Sequence, residues 1–241
     1  MSPNDNDIFL SVVIPAYNEE RRLPATLKSV IGYLEKQTYR WEVAVVDDGS
    51  KDRTATIVRE ATVVHPNVRL LQYGQNHGKG YAVRYGMTHV TGKYRAFMDA
   101  DNSTTIDHVD QFMPFFHMGF DVVIGSRDVK GANVAVHQAK WKELLGDLGN
   151  LWIRFWAVSG IYDTQAGFKI FSAKASDDVF PYLTIDRWGF DVEALALAKK
   201  RGYKIAERPI HWVNDPDSKV SSSAYLQVLR EVVQVRLNMW R

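Results

Sequence analysis

Residues 94–104 read YRAFMDADNST. Five mostly apolar positions, Tyr94 to Met98, run straight into Asp99 and Asp101 with only Ala100 between them. The run has the length of a buried strand. Acids are costly to bury beside it unless something binds them. In an open α/β sheet, ligands bind just outside the carboxyl ends of the strands, so this boundary bears on the fold and the function together.

The same pattern repeats outward from it. FLSVVIPA reads as a strand and RRLPATLKSVIGYLEK as a helix; WEVAVVDD as a strand and DRTATIVREATVVH as a helix. VRLLQY and GKGYAVRYGMTHV follow as strand and helix, then TIDHVDQFMPFFH as the helix after residue 104, then the strand DVVIGS. Continuous β-branched runs fit strands buried on both faces, and strand–helix alternation predicts a mostly parallel central sheet with helices on both sides. Residues 127–140 read as a loop and 140–159 as a long helix. AGFKIFS is a strand, FDVEALALAKKRG a helix stopped by Gly202, and YKIAERPIHW an edge strand because it holds a proline. A last helix runs from about Ala224. No linker interrupts the series, so one α/β domain over 1–241 is expected.

Two strand ends deliver acids to one edge: Asp47 and Asp48 after WEVAVV, and Asp99 and Asp101 after YRAFM. Alternation points Asp99 and Asp101 the same way. Two such carboxylates repel unless a cation lies between them, and Mg2+ or Mn2+ suits oxygen ligands completed by substrate phosphates. An acidic turn with Ser103 or Thr104 as N-cap accounts for the same letters. In QNHGKGYAVRYG, glycines flank Lys79 at a helix start, a setting that suits a phosphate. The Walker spacing and a G-x-G-x-x-G turn are both absent.

Bulk properties narrow the classes. The 241 residues are 46% apolar and 24% charged with net charge +2, too balanced to suggest a nucleic-acid binder. There is no cysteine, which excludes disulfides and thiolate metal sites. MSPNDNDIF lacks a basic segment followed by an apolar run, so no secretory signal is expected. No stretch reaches a bilayer-spanning length; LLGDLGNLWIRFWAVSG is broken by Asp147 and Arg154.

VVIPAYNEE, VVDDGSKDRT, NHGKGYAVRYGM and FMDADNST stand in the order found in inverting family 2 glycosyltransferases of the GT-A (Rossmann-like) fold, and the chain resembles that family over roughly residues 9–220. DTQAGFKIFS and RWGFDVEALALAKKRGYKIAERPIHW are similar to the branch that makes dolichyl-phosphate glucose; polyprenyl-phosphate mannose synthases are less close there. The resemblance implies a nucleotide-sugar site at Pro15, Ala16, Tyr17, Glu19, Asp47, Asp48, Gly49, Gly78, Lys79, Arg84, Asp99, Ala100, Gln165 and Trp188. It implies a metal held by Asp99 and Asp101. Residues 1–125 then form the nucleotide-binding half, 126–220 the acceptor half and 224–241 a helix at a membrane interface.

For the acceptor, GSR at 125–127 resembles the family's lipid-phosphate contact, which implicates Arg127. Lys142 stands where the family usually has an arginine, a departure because lysine lacks the bidentate fork. Asn150 lies further along. DSKV at 217–220 brings in Ser218 and Lys219. Asp101 and Arg127 are carried as catalytic, with Asp191 as the base if one is needed. A phosphate monoester is largely a dianion at neutral pH and needs none. Asp163 and Gln165 contact the sugar or brace its pocket. Helix charge stabilisation is the plain alternative for Asp191, and a surface pair with Lys199 or Arg187 for Glu193. Trp188 and Trp212 fit a sugar pocket or a core.

The last helix carries Tyr225, Val228, Leu229, Val232, Val233 and Trp240 on one stripe, with Arg230, Arg236 and Arg241 beside it. It suits a membrane surface, and packing on the core or on a second subunit is the equal alternative, so an oligomer is compatible with it. The expected activity is metal-dependent transfer of glucose from UDP-glucose to a polyprenyl (dolichyl-type) phosphate, by a peripheral enzyme at the cytoplasmic face of a membrane. GDP-mannose as donor, a sugar hydroxyl as acceptor, a turnover-deficient binding module and a glycoside hydrolase are the competing expectations.

Overall fold

The structure, a computed structural model, describes residues 7–134, 152–153, 156–213 and 222–240. Strands β1 (Leu10–Ala16), β2 (Trp41–Asp47), β3 (Val68–Gln72) and β4 (Tyr94–Met98) alternate with helices α1 (Leu23–Leu34), α2 (Thr54–Val64) and α3 (Lys79–Thr88). Then come α4 (His108–His117), β5 (Val122–Ser126), β6 (Asn133–Val134) and β7 (Phe168–Ser172). The chain continues through α5 (Ala173–Val179), a 3-10 turn (Phe180–Tyr182), α6 (Phe190–Lys200), β8 (Ile205–Pro209), β9 (His211–Trp212) and α7 (Ser222–Trp240).

Seven strands form one sheet in the order β3-β2-β1-β4-β7-β5-β8. The chain starts at β1, builds outward through β2 and β3, then crosses back to place β4 on the other side of β1. Strand order reverses there, and such a switch point opens a crevice. Among the described strands only β7 runs against its neighbours, pairing Met98 with Phe168 and Ile124 with Lys169. Because it is antiparallel, its entrance lies at the exit of β4. Residues 163–167 therefore reach the Asp-x-Asp edge.

The apolar runs serve two cores, one on each face. Val13, Ala44, Val46 and Phe97 face one with α3 and α6. Val12, Ile14, Val43, Val45, Ala96 and Met98 face the other with α1 and α4. This period-two division is why the strands read as continuously apolar. Gly86 on α3 lies against Val13, so the helix packs close on β1.

Several expectations resolve here. β8, with Pro209, lies at the sheet edge, and Gly202 follows α6 with φ +81°. α4 begins at His108 with Asp107 as its N-cap, so Ser103 and Thr104 do not cap it. α5, unexpected from the sequence, starts where the Ser172 side chain accepts from the Ala175 amide at 3.2 Å. The expected 140–159 helix lies mostly outside the described residues; positions 152, 153 and 156 are helical. On α7, Val228, Val232 and Val235 are buried and pack with α6, so that part of the stripe serves the core. Arg230 and Arg236 are exposed. No helix among the described residues is long and apolar enough to cross a membrane.

Candidate active site

The first two strand ends are tied together by their own polar groups. Pro15 and Ala16 close β1, and the Ala16 carbonyl accepts from the Asp48 amide at 2.8 Å. Tyr17 beyond them is 37% exposed. Glu19 holds Arg22 through two bonds, 2.7 Å to Nε and 2.6 Å to Nη2. Asp47 accepts from the Ser50 amide and Gln72 Nε2, both at 3.0 Å, and Gly49 makes the turn after it. Asp48 accepts from the amides of His77 (2.7 Å) and Gly78 (2.9 Å) and from Asn76 Nδ2 (2.7 Å). Asp48 thus fixes the loop that leads into α3. Gly78 has φ +111°, and a Cβ there would lie 2.6 Å from the Asp186 carbonyl, which is why a glycine precedes Lys79.

Lys79 opens α3 and brings its ammonium to 2.5 Å from Asp99 Oδ1, with Trp188 5.9 Å away. Burial alone would lower the Lys79 pKa; Asp99 and Asp191 outweigh it and hold it above the ordinary lysine value. The Ala100 carbonyl accepts from Thr26 Oγ1 at 2.6 Å. Asp101 accepts from the Ser103 amide at 3.0 Å and lies 3.9 Å from Arg22 Nη1. Burial, and then the charge of Asp99, push the Asp101 carboxyl up. The two acids sense each other, as a cation-binding pair must.

Asp191 comes from the first turn of α6 and is buried. Its Oδ1 accepts from Lys169 Nζ at 2.5 Å, and Lys169 also donates to the Ala166 carbonyl at 2.6 Å. Burial pushes the Asp191 carboxyl up, with Lys169 and Lys79 opposing. Asp191 is therefore more than a helix-end charge. Glu193 makes no surface pair: it is buried and accepts from the Thr184 amide and hydroxyl and the Ile185 amide. Sequence reading missed Lys169. The signal was a lysine inside the apolar strand FKIFS.

Arg127, just past β5, is held by the buried Asp163. Oδ2 accepts from the Arg127 amide (3.0 Å) and Nε (2.8 Å); Oδ1 accepts from Nη2 (3.0 Å) and the Gln165 amide (3.1 Å). Burial would raise the Asp163 carboxyl, but the guanidinium holds it below the usual carboxylate range. A carboxylate has about four acceptor sites, and all are used. Asp163 braces Arg127 and the Gln165 backbone. The Arg127 guanidinium lies 5.4 Å from the Trp212 ring. Arg84 does not join the acids: it donates to the Leu183 carbonyl at 2.5 Å and pairs with Asp186 at 2.9 Å. Lys142, Asn150, Ser218 and Lys219 lie outside the described residues.

One connected cluster results. Asp99 acts electrostatically on Lys79, Asp101, Asp191 and Arg127. Asp99, Asp101, Asp163 and Asp191, with Asp128 acting on Arg127, outnumber Lys79, Lys169 and Arg127, so carboxylates are in surplus. A hard cation fits that surplus and that oxygen donor set. Among the described residues no three His, Asp or Glu side chains group as ligands.

Residues 11–180 match the glycosyl transferase family 2 model. The chain is 35% identical to the dolichyl-phosphate beta-glucosyltransferase of Dictyostelium discoideum, covering 100% of this chain and 78% of that protein. It is 34% identical to those of Saccharomyces cerevisiae and Homo sapiens, covering 97% and 95% of this chain and 76% and 75% of theirs. Its fold matches Mycobacterium tuberculosis glucosyl-3-phosphoglycerate synthase in complex with Mn2+, UDP-glucose and phosphoglyceric acid. There the TM-score is 0.67 at 17% identity over 96% of this chain and 79% of that one. S. aureus TarS 1–349 in complex with UDP-GlcNAc gives 0.61 at 22% identity, over 96% and 67%.

Proposed function

The chain belongs to glycosyl transferase family 2, and from that premise we propose that it moves glucose from UDP-glucose to a polyprenyl phosphate of the dolichyl type. The named relatives support the sugar and the acceptor. The observation that carries the reading is the meeting of two differently built charge centres at one sheet edge. Lys79, Asp99 and Asp101 gather where β4 ends. Arg127 stands within electrostatic reach of Asp99 on the other side of β7. One centre suits a diphosphate leaving group and the other a phosphate nucleophile.

In this reading the loops after β1 and β2 hold the nucleotide, with Pro15, Ala16, Tyr17, Glu19, Asp47, Asp48 and Gly49 as its walls. Lys79 meets the diphosphate, and Trp188 and Gln165 lie toward the sugar. Asp99 and Asp101 would hold Mg2+ or Mn2+, which supplies positive charge where the leaving group gains negative charge. The acceptor oxygen forms its bond to the anomeric carbon as the bond to UDP breaks, and the electron pair leaves with the diphosphate. The configuration inverts. A phosphate dianion is already nucleophilic, so the chain's task is to position it. Asp191 is bound to Lys169, which fits a structural charge better than a free base. The enzyme would act peripherally at the cytoplasmic face of a membrane.

The test is transfer of labelled sugar to farnesyl phosphate, with UDP-glucose and GDP-mannose side by side, in Mn2+ or in EDTA. Lipid-linked glucose that needs the metal and disappears in Asp101→Ala is the expected result. Mannose transfer alone would replace the donor. No lipid product from either donor would overturn the acceptor and favour a hydroxyl acceptor with Asp191 as base.

A further inference from the structure

Glu207 sits on the edge strand β8, paired in register with Ile124 of β5. Its carboxylate accepts from the Tyr162 amide at 2.9 and 3.1 Å and from the Asp163 amide at 2.7 Å. Two successive backbone amides are thus clamped by one side chain. The second belongs to the residue whose own carboxylate grips Arg127. The arrangement is a relay in three steps: Glu207 fixes the backbone at 162–163, that backbone aims the Asp163 carboxylate, and Asp163 fixes the guanidinium.

The grip is one-sided. Asp163 takes Nε and one proton of Nη2. Of the five N–H donors of a guanidinium, both on Nη1 and the second on Nη2 make no bond among the described residues. The Arg127 side chain is 29% exposed, whereas that of Asp163 is fully buried. The outward Nη1–Nη2 edge is a planar fork, the geometry that receives two oxygens of a phosphate. The Trp212 ring lies 5.4 Å from the guanidinium.

We propose that Glu207 is a positioning residue for acceptor binding, acting through Asp163 to present the free fork of Arg127 to a phosphate monoester dianion. The inference rests on the acceptor reading above and adds to it the residue that orients the contact. A fork already oriented forms its two hydrogen bonds without first losing side-chain freedom. Once the clamp is weakened, the fork must be ordered by the acceptor itself. The cost should fall on acceptor binding and spare the donor.

The experiment is calorimetric titration of the full chain with farnesyl phosphate and, separately, with UDP. Glu207→Gln keeps the shape of the side chain but removes its charge and one acceptor oxygen. Loss of a charged hydrogen bond predicts farnesyl phosphate binding about tenfold weaker, with UDP affinity within about twofold. In an Arg127→Lys background, which has no fork, Glu207→Gln should add no more than about twofold, and Glu207→Asp should recover part of the loss. Unchanged farnesyl phosphate affinity in Glu207→Gln, equal weakening of UDP, or a full additional loss in the Arg127→Lys background would overturn the inference. If wild type itself binds no farnesyl phosphate, the acceptor reading fails and the inference falls with it.

Discussion

The backbone of Gly167 lies directly against the carboxylate of Asp99: a Cβ at position 167 would overlap both carboxylate oxygens. Antiparallel β7 causes this, because it enters the sheet where β4 leaves it. Gly167→Ala should therefore push Asp99 away from Lys79 while leaving the rest of the chain folded. We expect kcat/KM for sugar transfer to fall about 100-fold, the scale on which misplacement by an ångström acts. Thermal melting should change by only a few degrees. Activity within twofold of wild type would mean that Asp99 has room to give.

The buried Lys169–Asp191 pair separates stability from chemistry. Lys169→Met leaves Asp191 without its nearest cation, and breaking such a pair costs about 3–5 kcal/mol. At about 2–4 °C per kcal/mol for a chain of this size, the melting temperature should drop by roughly 10 °C. Lys169→Met with Asp191→Leu removes both charges and should recover most of that loss, since apolar replacement of a buried pair is near neutral. Differential scanning calorimetry of the single and double variants checks this. A double variant no more stable than the single would show that the two charges are not each other's main partners.

The sheet and its acidic edge were legible because they rest on local signals. Val12 to Ile14 and Val43 to Val46 are continuous apolar runs, and a run of that kind has one natural place, the middle of a parallel sheet. Asp99 and Asp101 stood out because acids ended such a run. Contacts across distant sequence were not legible. The close approach of the Gly167 backbone to Asp99, the bond from Lys169 to Asp191 and the clamp of Glu207 on residues 162–163 all depend on β7 and β8 lying beside elements far away in the chain. Glu193 was misread for the same reason: its partners Thr184 and Ile185 precede it in a loop that the helical pattern does not reveal. The partners of Arg84, Leu183 and Asp186, were hidden for the same reason: both lie about a hundred residues along the chain.

One carboxylate of the last helix reaches the start of α6. Glu231 on α7 accepts from the Gly189 amide at 2.6 Å and from Gln227 Nε2 at 2.8 Å. Gly189 is the N-cap of α6, which carries Asp191 two residues on. Glu231→Ala leaves that amide without its acceptor and should cost about 1–2 kcal/mol. A fall of about 4 °C in melting temperature, with faster hydrogen exchange at the first turn of α6, is the expected result. Unchanged exchange there would show that α7 packs on α6 without ordering its start.

The Arg127–Asp163 pair predicts a pH dependence of stability with a definite sign. Asp163 is held below the ordinary carboxyl value of 3.8 in the folded chain. A depressed carboxyl contributes stability that is fully present above the unfolded value and is lost as pH falls through the folded one. Asp163→Asn abolishes that contribution and leaves Arg127 without its anion. The variant should melt about 10 °C below wild type at pH 7, on the buried-pair scale of about 3–5 kcal/mol. Below about pH 4 the gap should narrow, because wild type begins to lose the same charge. Melting curves of both proteins from pH 7 down to pH 3 check this. A gap of constant width would show that the charge of Asp163 does not set the difference in stability.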